Sequence, residues 1–202
     1  VQTCALPICS DVFATGIVLW ELLAGHRLYK VRAEMPLLEQ LQAVLRRFPA
    51  LQDMVRNNRL VTETNDLVAH LNLARSEAIK RRTRVAICSS TAAGAAVPAC
   101  DGGTDWDTGW VVFVDADSDG VVDSAADVIR RSAVVAGATH VRASGGTLSF
   151  GADGSVAGGA ATTLAVCDDR GESRGRQIRV AGVGRPQRVG PQIPDAGCNP
   201  GG

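Results

Sequence analysis

Aromatic residues make up only 4% of the chain, and 21 Lys and Arg cancel 21 Asp and Glu. The first shortage excludes a large aromatic core and, with 22 glycines, favours short strands joined by tight turns. The second excludes an overall field that would steer the whole molecule to nucleic acid or a membrane. No apolar run approaches the length of about 18 residues that a membrane helix needs, so no span is expected in the chain as given. The start has no initiator Met, no basic stretch leading into an apolar run and no small-residue cleavage site, so it reads neither as a natural beginning nor as a signal peptide. No cysteine sits in a Cys-x-x-Cys pair or beside His at a zinc spacing. No Ser or Cys motif is placed to be activated by His26, His70 or His140, and no nucleotide loop is present, so no enzyme is expected.

What is present is unevenly placed. Asp101, Asp105, Asp107, Asp115, Asp117, Asp119, Asp123 and Asp127 crowd the middle, whereas Arg170, Arg174, Arg176, Arg179, Arg185 and Arg188 crowd the end. The apolar fraction, 46%, is enough for a core. Leu60, Leu67, Leu71, Ala74 and Ala78 recur at helical spacing while Arg59, Glu63, Asp66, Asn72, Arg75 and Lys80 fall elsewhere, which predicts a long amphipathic helix burying one side. Beyond it, residues 83–88, 109–115, 128–135, 147–150, 162–166 and 177–181 read as strands by β-branched content, with Gly151 to Gly154 as a hairpin loop between two of them. The fold class is α+β, a long helix packed on an antiparallel sheet.

Two constellations carry possible chemistry. Asp115, Asp117, Asp119 and Asp123 stand at positions 1, 3, 5 and 9 of a calcium-type loop, with Gly120 at 6 and the carbonyl of Val121 at 7. Alternate carboxylates converge on one hard cation there, and the glycine permits the sharp turn. Position 12 is Ala126 instead of a bidentate Glu, which weakens the site unless Asp127 substitutes. The second constellation is the cysteines. Setting aside Cys4 and Cys9, the even set Cys88, Cys100, Cys167 and Cys198 suits a disulfide framework in an oxidising compartment. Of three connectivities, Cys88 with Cys100 and Cys167 with Cys198 is expected, because Gly94, Pro98 and small residues make the first loop closable and the second bridge staples a Pro/Gly-rich tail.

Three resemblances divide the chain. Residues 1–8, VQTCALPI, look like the translation of a sequencing adapter, which makes 1–9 an expected artefact. Residues 10–47 resemble a fragment of a bacterial Ser/Thr kinase C-lobe, with Asp11, Gly16, Trp20, Glu21 and Gly25 in the matching places. The phosphate-covering loop, nucleotide Lys and catalytic Asp of a kinase lie upstream of such a segment, so no phosphoryl transfer is implied. The spacing of Gly16 and Glu21 also fits a prepilin cleavage pattern, but His26, Arg27, Lys30, Arg32 and Glu34 follow where an unbroken apolar helix is required, so the match is read as coincidence.

From about Phe48 to Val189 the chain resembles the GspH/FimT family of type II secretion pseudopilins and type IV minor pilins. Pro49, Asn58-Arg59-Leu60, the stretch Asn65 to Lys80, Asp105-Trp106-x-x-Gly109-Trp110 through Asp115, and Gly175-Arg176 with Arg179-Val180 carry the likeness. It implies a pilin-like domain over 48–189 with a Pro/Gly-rich tail at 190–202. It also implies assembly with other minor and major pseudopilins, and a parent protein in the bacterial inner membrane whose domain faces the periplasm. The leader and span of that parent are expected to be missing from this chain, and the domain is expected to fold without residues 1–47. DNA binding through Arg174, Arg176, Arg179, Arg185 and Arg188 is the alternative role that the resemblance carries. The family's Gly-Arg-x-Arg motif appears here as Gly175-Arg176-Gln-Ile-Arg179 and Gly184-Arg185-Pro-Gln-Arg188, each one residue too long.

Overall fold

The computed structural model describes residues 49–135 and 137–190. The adapter-like and kinase-like segments and Cys198 lie outside the described residues. Of the two compact units into which the chain divides, the second, Met54–Gly202, contains the sheets and most of the helix.

The helix α1 spans Pro49–Arg81. A proline at its first position costs no hydrogen bond, because the first amides of a helix have no intrahelical acceptor. Leu60, Leu67, Leu71, Ala74 and Ala78 are all fully buried, as their spacing predicts, and Thr64 joins their stripe by donating its hydroxyl to the Leu60 carbonyl. The helix ends in a Schellman motif. Arg82 takes the left-handed conformation (φ 54°), its amide bonds the Ile79 carbonyl, and the Thr83 amide reaches back to Ala78. Lys80 and Arg81 oppose the carbonyl end of the helix dipole, and both pair with Glu77.

Among the described residues eight strands follow: β1 (Val85–Ser89), β2 (Trp110–Val114), β3 (Val128–Arg131), β4 (Thr139–Ala143), β5 (Thr147–Phe150), β6 (Thr162–Asp168), β7 (Arg176–Val180) and β8 (Pro186–Val189). They form two antiparallel four-stranded sheets, ordered β3-β2-β1-β5 and β4-β6-β7-β8, not the one sheet expected. β4 and β8 were not anticipated, since THVRA and PQRV are half polar and lack the β-branched density that marks a strand. The Gly151 to Gly154 turn also differs from expectation. The chain doubles back there only as far as a single Phe150–Val156 bridge, while β5 pairs with β1 and β6 pairs with β4 and β7. β5 and β6 therefore belong to different sheets and no hairpin joins them.

The main core unites the helix stripe with Val85 and Ile87 of β1, Trp110 and Val112 of β2, Leu164 and Val166 of β6, and Ile178 and Val180 of β7. The alternate residues of β1 and β2, namely Ala86, Cys88, Val111 and Phe113, form a second core with Ala93 and Val122 on the opposite face. β1 and β2 read as unbroken apolar runs because they are covered on both faces.

The Cys88–Cys100 disulfide lies in this second layer, with Cα atoms 5.6 Å apart, as the sequence predicts. Cys167 is also disulfide-bonded. The C88A/C100A variant is expected to lose about 3 kcal/mol of stability in the loop-entropy account, because the bridge closes a short loop in the unfolded chain. Urea unfolding of the two proteins measures it, and an unchanged midpoint would show that the layer holds without the bond.

One glycine is required where the loops meet the helix. Gly184 has φ 78°, and a Cβ there would overlap the Gly154 carbonyl, which itself accepts from Arg75 Nε at 3.0 Å. The β7–β8 turn, the turn after β5 and the helix converge at that point.

Candidate functional site

The β2–β3 connection carries the acidic loop. Val122 anchors it in the second core, and the Val114 and Asp115 amides tie its start to the carbonyls of Asp127 and Arg84. The Asp115 carboxylate is drawn inside, 1% exposed, and its Oδ1 accepts from the Gly120 amide at 3.1 Å. Asp119 Oδ1 accepts from the Val121 amide at 2.7 Å, and left-handed φ angles at Ser118 (69°) and Gly120 (77°) curl the backbone around these acceptors. One carboxylate oxygen from each of Asp115, Asp117 and Asp119 lies within 4.8 Å of the others. Asp123 stands outside that group, its carboxyl held above the usual range mainly by the charge of Asp117 and then by desolvation, with Asp119, Asp127 and Asp115 adding to it. Asp127 does not turn to the loop centre, because its Oδ2 accepts the Ser124 hydroxyl at 2.6 Å.

The stretch DWDTGW is the second organised place, and sequence reading used it only as a family signature. Trp106 and Trp110 are both buried, with ring centroids 6.4 Å apart. Asp107 between them holds β4: Oδ1 accepts from the Val141 amide and from Arg142, and Oδ2 pairs with His140 Nδ1 at 2.7 Å. Burial pushes the Asp107 carboxyl up, but the hydrogen bonds from His140, Val141 and Arg142 outweigh it and hold the group below its ordinary value. The regular spacing of charged residues in this segment could have signalled a clamp. What no pattern reveals is that the partners come from a strand more than thirty residues later.

His70, on the helix, accepts the Trp110 indole proton at Nδ1 (2.9 Å), with the rings in an edge contact. Arg130 Nε lies 3.2 Å from Nε2. A neutral imidazole has one acceptor nitrogen, so the indole bond places the ring proton on Nε2 and leaves the guanidinium as a contact that opposes a second proton. Burial lowers the His70 pKa first, Arg130 lowers it further, and Asp66 acts against both. His140 and His70 are therefore packing and clamping residues.

At the end of β6, Arg170 grips Asp168 through Nε and Nη2, the shortest contact being 2.6 Å, and Nη2 also donates to Asn57 of the helix at 2.9 Å. The Asp168 and Arg170 side chains are 3% and 13% exposed.

The five arginines grouped for DNA binding do not share one role. Arg188 donates to Asn65 of the helix from β8. Arg176 and Arg179 lie exposed on β7, Arg185 stands in the following turn, and Arg174 ends a 3-10 turn, Glu172–Arg174. Arg179 is in register with Gln187 and Ile178 with Arg188, so strand alternation sends Arg179 and Arg188 to opposite faces.

The chain is similar in fold to the type IV minor pilin FimU of Pseudomonas aeruginosa, solved in two crystal forms. One matches with a TM-score of 0.57 at 22% identity, covering 71% of this chain and 98% of that one. The other matches with a TM-score of 0.51 at 22% identity, covering 65% and 94%. No curated protein matches the sequence. The family model described as type II transport protein GspH matches residues 63–184, a span that takes in more than half of the helix, strands β1 to β7, the acidic loop and the Asp168–Arg170 pair. That match covers more than half of the chain, which belongs to the GspH family of type II transport pseudopilins.

Proposed function

We propose that the chain is the globular head of a minor pseudopilin or minor pilin, a structural subunit without catalytic activity that assembles with other pilin-like subunits in a type II secretion pseudopilus or a type IV pilus. The single observation that carries this reading is the family match over residues 63–184, which takes in the second half of the helix and strands β1 to β7. The long helix supports it, because its outward side keeps Met54, Val55, Val61 and Ile79 exposed beside a fully buried stripe, as suits a helix with neighbours in an assembly. The disulfides support a periplasm-facing domain, since such bonds persist in oxidising compartments. Among the described residues no helix is long and apolar enough to cross a membrane, so anchoring at the inner membrane would be supplied by residues other than these.

Deleting the gene in the source bacterium tests the role. Loss of type II export or of surface pili, restored when the gene is returned, is the expected result. Normal export together with normal piliation sinks the reading.

A further inference from the structure

The Asp115–Asp123 loop differs from an ordinary solvated acidic turn in one respect. Asp115 is almost fully buried, and its Oδ2 has no hydrogen-bond donor. Arg84 Nε approaches that oxygen to 3.4 Å, which gives it an ionic neighbour, but Nε is itself buried without a hydrogen-bond partner. A buried carboxylate oxygen left in that state is costly, and a bound cation is the remedy that the surroundings offer. One oxygen of the Asp115 carboxylate lies within 4.8 Å of oxygens of Asp117 and Asp119, whose side chains are exposed, so an ion can enter from solvent.

We propose that this loop binds a divalent cation of the calcium type, held by the carboxylates of Asp115, Asp117 and Asp119, with the Val121 carbonyl, Asp123 and water completing the shell. The ligand set decides between cations. Calcium accepts about six to eight oxygens at about 2.3–2.6 Å in a flexible shell, which suits three carboxylates completed by a carbonyl and water, whereas magnesium demands about 2.1 Å in a near-ideal octahedron and gives up its water reluctantly. Charge favours the ion as well: the carboxylates of Asp115, Asp117 and Asp119 are gathered together, while Arg84 pairs with Asp115. The loop is built to close on such an ion, since Gly120 supplies the left-handed turn and its amide holds Asp115 Oδ1 in place. Because position 12 is Ala126 and Asp127 is engaged by Ser124, no bidentate ligand closes the shell, which sets the affinity in the weak class, with Kd on the order of 10⁻⁴ to 10⁻³ M.

Calorimetric titration of the chelator-treated full chain with calcium chloride, and separately with magnesium chloride, tests the proposal. The D117N/D119N variant serves as the control, because both side chains are exposed and their exchange leaves Asp115 and the fold intact. The expected result is one calcium site in the stated range, magnesium at least about tenfold weaker, and calcium affinity at least about tenfold lower in the variant. The thermal midpoint of the parent should rise with calcium while that of the variant does not. No heat up to about 10 mM calcium overturns the proposal, as does equal binding of magnesium. Undiminished binding by a normally folded variant would remove the ion from this loop.

Discussion

Arg170→Ala is expected to lower the unfolding free energy by about 3–5 kcal/mol, the range for removing one partner of a buried ion pair. Asp168 would then be left 3% exposed with its charge unmatched, and Asn57 would lose the donor that ties the helix to the end of β6. The double variant D168N/R170A should recover much of the loss, because no buried charge remains. A dependence on pH separates this account from a simple packing defect. Burial pushes the Asp168 carboxyl up, yet the side-chain and backbone hydrogen bonds of Arg170 and its charge outweigh burial and hold the folded-state pKa below the ordinary carboxylate value. A depressed folded-state pKa gives stability that is complete above the unfolded value and is lost as pH falls through the folded one. The gap between parent and R170A should therefore be full at neutral pH and shrink in the acid range, as Asp168 protonates first in the variant and then in the parent. Urea unfolding at neutral and acidic pH measures it, and a gap independent of pH would place the loss elsewhere.

Trp106→Ala should cost a similar amount, about 3–5 kcal/mol, through the cavity left in the main core. Trp106→Phe should cost far less. The indole is fully buried and its Nε1 has no acceptor, so phenylalanine keeps most of the apolar contact and deletes an unsatisfied donor. Trp110 provides the contrast: its indole donates to His70, so Trp110→Phe strands the His70 acceptor and should be the worse of the two phenylalanine variants. Thermal unfolding of the set ranks them. If the two phenylalanine variants lose equal stability, the assignment of the indole hydrogen bonds is wrong.

The helix was legible in the sequence because its signal is local. The spacing of Leu60, Leu67, Leu71, Ala74 and Ala78 fixes both the element and its buried face. β1 and β2 were legible for the same reason, as runs dense in apolar residues. The division into two sheets was not, because it depends on partner choice: Thr147 to Phe150 and Thr162 to Val166 look alike as strands, and nothing within either states that one pairs with β1 and the other with β4. The nearer cysteine pair was legible because Gly94, Pro98 and small residues make the loop between its members closable. The calcium-type loop could be read as a motif, but the burial of Asp115 could not, since it comes from the second apolar layer beneath the sheet. The Asp107 clamp escaped because it joins residues distant in sequence, and Asp107 counted there only as a member of a charge run; the Asp168–Arg170 pair is local, but its tie to Asn57 of the helix spans 113 residues and no pattern marks it.

The lateral margins of the two sheets bear on how this chain can pack against neighbouring subunits. A free margin invites a neighbour to add a strand, and each of the four is closed by a different means. β3 is four residues long and carries Arg130 and Arg131, the latter spent on the carbonyls of Ala95 and Ala96. β8 begins with Pro186, which has no amide hydrogen to offer, and includes the charged Arg188. β5 is capped by the chain's own return at Val156 and Ala157, and β4 by Thr104 and Trp106, whose backbone groups bond Ala143 and Val141. Neighbours in a filament would thus meet through side chains, with every ladder of backbone bonds kept within one subunit. Such a polymer would come apart by rewetting side-chain surfaces, without unzipping any sheet.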